Sequence, residues 1–269
     1  MDKKYFFLGG MYRSGNTVLA AILNQNPDFY VSPLSPVVEY MWRIHSCKED
    51  FETAIANPNV NRTDNTVSKI LDNYYYDVNK KYVVDRNKAW IHIPNIRMLK
   101  EYITPNPKIL FTVRPLRECV ASLIKVDYDK QMEDMLSSGF NYNPDISNND
   151  NLAEFILNGN MAIAMENAFY SYTENKQKDI QIIRYHDLLA NPQETMDLIY
   201  DFLEIDKYHH DFDNIVQNEK EDDEKSNRSK NLHIIRQKLE SSNLVVEDYL
   251  SDKMIEKCNN MDLFVFENG

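Results

Sequence analysis

The sequence predicts an α/β fold of three layers, a mainly parallel sheet of about five strands with helices on both faces. Short runs rich in β-branched and aromatic residues alternate with helical pattern along most of the 269 residues. The first run, Tyr5-Phe6-Phe7-Leu8, passes through a glycine-bounded turn at Gly10–Thr17 straight into the apolar helix Val18–Leu23. A content of 43% hydrophobic and 12% aromatic residues supplies the core of a single domain spanning 1–269.

Taken in order, the strand candidates are Tyr5–Gly9, a short Phe29–Val31, Tyr82–Asp85, Ile109–Val113 and Ile180–Arg184. Each is brief and β-prone, and helical pattern follows. The predicted helices are Thr17–Asn24, Pro36–Cys47, Val67–Tyr76, Ile96–Ile103, Leu116–Val126, Leu152–Thr173 and Pro192–Leu203. Pro115 suits the first turn of the helix from Leu116, because its missing N–H would be unpaired there anyway. Such alternation implies right-handed βαβ units, whose ligands lie beyond the carboxyl ends of the strands. Two stretches read as irregular: 127–150, with Asn-Tyr-Asn-Pro and Ser-Asn-Asn-Asp turn signals, and 218–230, almost wholly polar. Both are read as lids or acceptor-binding loops, with plain surface insertions as the alternative.

Charge and cysteine usage exclude several classes. The formal net charge of −12 is the wrong sign for a general binder of nucleic acid or anionic membrane. An anionic ligand must therefore be held by a local constellation, while the acidic run Glu219–Glu224 reads as solvated surface. No apolar run approaches the ~20 residues of a membrane span, and the chain runs from Lys4 into its first strand without a signal sequence. Cys47, Cys119 and Cys258 are odd in number and lack metal-ligand spacing, which predicts a cytoplasmic protein without structural zinc. His209-His210 reads as a surface pair.

The turn Gly10-Met11-Tyr12-Arg13-Ser14-Gly15-Asn16-Thr17 has the outline of a phosphate-binding P-loop, in which backbone N–H groups at a helix N-terminus wrap an anion. It lacks the lysine, since Asn16 stands in that place, and the loop's cation is Arg13. A charge moved to the other side of the loop argues against handling an ATP γ-phosphate. A second run, Ile109–Val113 followed by Arg114-Pro115, ends a buried-type strand in an arginine, and Ser122 follows eight residues later, about two turns into the next helix. Arg114 and Ser122 could flank one phosphate; the alternative for the pair is a structural ion pair and an ordinary helical serine.

Together the two runs resemble the sulfotransferases that use 3′-phosphoadenosine 5′-phosphosulfate (PAPS) and release 3′-phosphoadenosine 5′-phosphate (PAP). Further matches are Asn24–Asp28, Val84-Asp85-Arg86-Asn87-Lys88-Ala89-Trp90, Arg184–Leu189 with Asn191-Pro192, and Leu232–Arg236. The resemblance implies a P-loop-type sulfotransferase domain that moves a sulfuryl group to a hydroxyl or amine of a small-molecule, glycan or peptide acceptor. It also implies that Arg13, Ser14, Gly15, Asn16 and Thr17 hold the 5′-phosphosulfate, that Arg114 and Ser122 hold the 3′-phosphate, and that Tyr185 lies against the nucleotide. Arg236 would complete that site. No metal is required, because loop amides and arginines can stabilise the transferring group.

The chain departs from the family pattern where a lysine is usual, since Arg86 takes that position and Lys88 takes the arginine's. Arg86 would then stabilise the leaving group as a fork of donors. The general base is open among Glu39, His45, His92 and Asp85. Glu39 also reads as a solvent-facing carboxylate, His92 as structural, Tyr185 as a core residue and Asp85 as a strand-end anchor. Two other functions compete, a small-molecule P-loop kinase and a non-catalytic nucleotide-binding protein.

Overall fold

All five predicted strands form and pair in parallel in one sheet, in the order β2-β3-β1-β4-β5. The computed structural model describes residues 2–57, 59–174, 178–218, 221–223, 225 and 233–264. β1 (Lys4–Gly10) leads through the loop into α1 (Asn16–Leu23), followed by β2 (Phe29–Leu34), α2 (Val37–Asp50), α3 (Glu52–Ala56), α4 (Val60–Ser68) and α5 (Ile70–Tyr74). After β3 (Tyr82–Arg86) a 3-10 turn over Lys88–Ile91 precedes α6 (Ile93–Tyr102). β4 (Ile109–Val113), α7 (Leu116–Ser137), α8 (Asn148–Asn158), α9 (Asn160–Glu174), β5 (Ile180–Arg184), α10 (Tyr185–Ala190), α11 (Pro192–Leu203) and α12 (Asp252–Met261) complete the order.

Alternation along β1 explains the two helical layers. Phe6 and Leu8 pack on one face with Leu19 and Ile22 of α1 and with Ile199 and Leu203 of α11. Phe7 turns to the other face, toward Met41 of α2, Leu99 of α6 and Val120 of α7. Burial on both faces is why the central strands are apolar almost throughout. One carboxylate lies inside this core. Asp85 accepts from Ser35 Oγ, the Tyr75 hydroxyl and Trp90 Nε1, each at 2.6 Å. Burial pushes its pKa up against the opposing effect of those three donors. Asp85 therefore ties β3 to the segment before α2 and to the 3-10 turn, with both carboxylate oxygens taken by these donors.

The helices depart from expectation where local breaks decide. The predicted helix Val67–Tyr76 is two, separated at Lys69, and Leu152–Thr173 is interrupted at Gly159. More than half of the stretch read as irregular, 127–150, is helical: α7 continues to Ser137 through a kink at Asp127 (φ −138°, ψ 28°). The Asp127 side chain accepts from Gln131 Nε2 at 3.0 Å there, and Tyr128, Met132 and Met135 carry the apolar stripe onward into the core. Only 138–147 lies outside helices, and Ser147 caps α8 by accepting from the Asp150 N–H. Of 218–230, residues 219–220, 224 and 226–230 lie outside the described residues.

His210 is not a surface residue. It is 3% exposed, with Nε2 3.0 Å from the Tyr200 hydroxyl and Nδ1 3.2 Å from Gln25 Oε1. A neutral ring satisfies both contacts by accepting from the tyrosine and donating to the glutamine amide oxygen. Burial first, and then the neighbouring His209, depress its pKa from 6.5 to about 4. A base whose folded pKa is depressed binds fewer protons folded than unfolded, so its contribution is complete above the unfolded value and declines as pH falls toward the folded one. Urea titrations should thus show stability falling between pH 6.5 and 4, with His210→Gln flattening that slope. Equal slopes for the two proteins would remove His210 as the cause.

Candidate functional site

The loop after β1 is built against the end of β4. Gly10 pairs with Thr112, and the Met11 N–H donates to the Thr112 carbonyl at 2.9 Å. A Cβ on Gly10 would collide with the Thr112 hydroxyl, so glycine is what permits this approach. Ser14 is buried; its hydroxyl lies 2.7 Å from the Met11 carbonyl and 2.6 Å from Thr112 Oγ1. Its side chain therefore fastens the loop to β4, leaving its amide as the group available to a ligand. Arg13 (φ 60°) and Gly15 (φ 89°) both take the left-handed conformation, which turns the chain back on itself before α1. Gly15 is the N-cap of α1, no side chain caps that helix, and no acidic residue lies in its first turn.

Two guanidiniums meet beside this loop. Arg13 Nε lies 3.3 Å from Ser122 Oγ on α7, and Arg114 Nη1 donates to the Arg13 carbonyl at 3.2 Å. Arg114 is held by Glu118 (Nε to Oε2, 2.8 Å), donates to Ser242 Oγ at 3.3 Å, and has its guanidinium 4.6 Å from the centroid of the Tyr185 ring. Burial and then the Arg114 charge push the Arg13 pKa down. Glu118 moves down as well, because Arg114 and His186 outweigh the upward push of burial. Arg13, Arg114, Ser122, Tyr185 and Ser242 line a cavity of 240 Å³ with Asn16, Thr17, Lys88 and Arg236. The structure thus brings Arg13, Ser14, Gly15, Asn16, Thr17, Arg114, Ser122, Tyr185 and Arg236 to one place, beyond the carboxyl ends of β1 and β4.

Arg86 is not among them. It lines a separate small cleft with Thr17, Asn24 and Ser32, and pairs with Glu221. Burial depresses its pKa to about 10. Glu221, Asp223 and His233 offer ligand-type atoms within 4.8 Å of one another, but the Glu221 carboxylate already has a cation in Arg86. The cation that the Asp85–Trp90 segment sends into the cavity is Lys88, whose Nζ lies 3.5 Å from the Tyr12 ring centroid.

The candidate bases divide. Glu39 and His92 line one groove of 560 Å³ bounded by α2, the Lys88–Ile91 turn, α6 and α9. Both Glu39 carboxylate oxygens lie 3.2 Å from Asn87 Nδ2. His92 is half-buried, and burial pushes its pKa down. His45 instead lies 2.8 Å from the Tyr102 hydroxyl, edge-on to Trp42, and supports the helix packing.

Residues 3–260 match the sulfotransferase domain family. The chain belongs to that family. It is a transferase of sulfuryl groups. Two solved structures share the fold: a sulfotransferase of Mycobacterium avium (TM-score 0.54, 11% identity, 98% of this chain and 77% of that one) and a mouse sulfotransferase in complex with PAP (TM-score 0.53, 12% identity, 97% and 83%). Among curated proteins no sequence matches.

Sequence reasoning on this sulfotransferase did not single out Lys88 or Ser242 for the cavity, or Glu118 as the partner of Arg114. Lys88 lies in the Val84–Trp90 motif, and Glu118 stands four residues after Arg114, an i,i+4 ion pair that spacing could have suggested. Ser242 reaches the site from 128 residues away, and no local pattern announces it. The loop geometry predicts the behaviour of Gly15→Ala. A left-handed alanine costs about 1–2 kcal/mol, and its Cβ would stand 2.7 Å from Tyr185 Cδ2. Thermal unfolding should show a lower midpoint; the parent's midpoint in the variant would mean that the loop relaxes without Tyr185.

Proposed function

We propose that this sulfotransferase takes its sulfuryl group from PAPS and passes it to a hydroxyl. One observation carries the reading: at the β1–β4 edge, Arg13, Arg114 and Ser122 converge beside the uncapped N-terminus of α1. Two adjoining guanidiniums, one with its pKa depressed by burial and by the other's charge, form a site that a dianion relieves. The N-terminus of α1 offers a second anion position, made of amides and the helix dipole. Two anion positions on one strand edge suit a nucleotide phosphorylated at both 3′ and 5′ positions. The mouse relative solved with PAP supports the same donor.

In this reading Arg114 and Ser122 hold the 3′-phosphate, with Glu118 and His186 fixing the Arg114 fork from behind. The amides of Ser14–Thr17 and the Lys88 ammonium hold the 5′ side, and Tyr185 and Arg236 bound the nucleoside. When bound, PAPS supplies the sulfuryl group, which passes to the acceptor oxygen as its bond to the 5′-phosphate breaks, leaving PAP. Arg13 stands where it can turn to the charge that grows as that bond breaks. Glu39, held by Asn87, accepts the proton of the acceptor hydroxyl. Asn16 in place of the P-loop lysine disfavours the kinase reading.

Arg114→Ala should weaken PAP binding by about 1.5–3 kcal/mol, the worth of a hydrogen bond to a charged group, and should weaken ATP binding much less. Calorimetric titration with both nucleotides checks this; equal losses would move Arg114 away from the 3′-phosphate. Transfer of labelled sulfate from PAPS should persist in EDTA, and Arg13→Ala should lower turnover more than it lowers PAP affinity. Loss of parent activity in EDTA, or parental turnover in the variant, would contradict a metal-independent transfer assisted by Arg13.

A further inference from the structure

We propose that the groove holding Glu39 and His92 is the acceptor subsite and that its acceptor is an acidic saccharide. The proposal rests on the sulfotransferase reading and adds the acceptor's chemical class. Position comes first. The groove and the nucleotide cavity share one segment: Lys88 lines the cavity, Ala89 lines the groove, and Asn87 between β3 and both is hydrogen-bonded to Glu39. A hydroxyl lying in the groove at Glu39 therefore sits beside the segment that also lines the cavity, a segment tied to β1 by the Asn87 N–H donating to the Leu8 carbonyl.

The groove's chemistry then selects the ligand. Trp42 is 39% exposed yet rigidly set. Its indole N–H donates to Asn95 Oδ1, Asn95 is 4% exposed and donates in turn to the Ala89 carbonyl, and His45 braces the indole edge-on at 5.7 Å between centroids. With its one polar atom already satisfied, this ring presents a flat apolar surface to the groove. Around it stand a carboxylate, a guanidinium, an imidazole and an amide, from Glu39, Arg43, His92 and Asn167. A phenol covers the indole face but brings one hydroxyl, leaving most of the surrounding polar groups against apolar edges, which is costly. A pyranose ring has an apolar C–H face for Trp42 and hydroxyls around its rim for the others. A volume of 560 Å³ falls in the usual range for ligand sites, about 300–1,000 Å³, and admits more than one ring. Arg43 adds the charge preference. On a chain of net charge −12 a local guanidinium is what a uronate carboxylate needs, and its fork matches that group.

Tryptophan emission gives a direct test on the full chain. There are two tryptophans, and Trp90 is fully buried, so a ligand-induced change reports on Trp42. The protein saturated with PAP is titrated with hyaluronan and heparosan tetrasaccharides, with neutral chitotetraose, and with p-cresol, exciting beyond the phenol band. The expected result is quenching by a glucuronate-containing tetrasaccharide at an affinity about tenfold above that of chitotetraose, with Arg43→Gln removing the difference; tenfold corresponds to about 1.4 kcal/mol. Calorimetry should show Trp42→Ala binding neither saccharide while its PAP affinity stays parental, which also shows that the variant is folded. Stronger binding of p-cresol, equal affinity for acidic and neutral saccharides, or no response to any saccharide overturns the proposal. Those failures with PAP binding intact leave the donor reading standing, whereas a parent protein that does not bind PAP overturns that reading first.

Discussion

The pairing of β1 with β4 is the constraint on which the site depends. Because β1 is central, its other neighbour is β3, and the chain reverses its direction of sheet growth between β1 and β4. That reversal opens the crevice where ligands of parallel sheets bind. Here it is closed to within hydrogen-bonding distance: Gly10 lies against Thr112, and Ser14 is fastened to the same threonine. The loop can therefore turn only outward, through two left-handed residues, into α1. Arg114, immediately beyond β4, then has the Arg13 carbonyl within reach. The meeting of two arginines follows from backbone register more than from any attraction between their side chains.

Charge is the second level of organisation. A chain with an excess of acidic residues concentrates cations at one strand edge and restrains each of them. Arg114 is braced by Glu118, Glu118 by His186, Lys88 by the Tyr12 ring, and Arg236 by Glu240 and the Ser241 carbonyl. Such bracing fixes geometry before an anion arrives, which is the condition for electrostatic stabilisation without reorganisation. Arg86 shows the contrary case: its guanidinium is buried, desolvated and taken by Glu221. The same short segment, Arg86 to Ala89, thus sends one side chain to a structural pair, one to the cavity beside the loop and one to the groove at Glu39.

Much of this was legible in the sequence, for identifiable reasons. Short runs rich in β-branched and aromatic residues marked β1, β3, β4 and β5, which could be read within a residue or so of their observed ends. The loop was legible because glycine at Gly10 and Gly15 reports a backbone requirement directly. The continuation of α7 past Asp127 was not, because packing of Tyr128, Met132 and Met135 outweighs weak local preference there, and the short breaks at Lys69 and Gly159 lie within runs of helical pattern. His210 was misread because its burial comes from Tyr200 and Gln25, neither adjacent in sequence. The ambiguity among Glu39, His45, His92 and Asp85 was real at the level of sequence, since each is a titratable group beside apolar residues. Only packing distinguishes Asp85, surrounded by three donors, from Glu39, which opens into a groove.

The most direct measurement is a crystal structure of the protein with PAP. The expected complex has the 3′-phosphate against Arg114 and Ser122, the 5′-phosphate at the amides between Ser14 and Thr17, and the groove beside Glu39 left open. A 3′-phosphate pointing to solvent, or PAP bound away from the β1–β4 edge, would contradict the two-anion site.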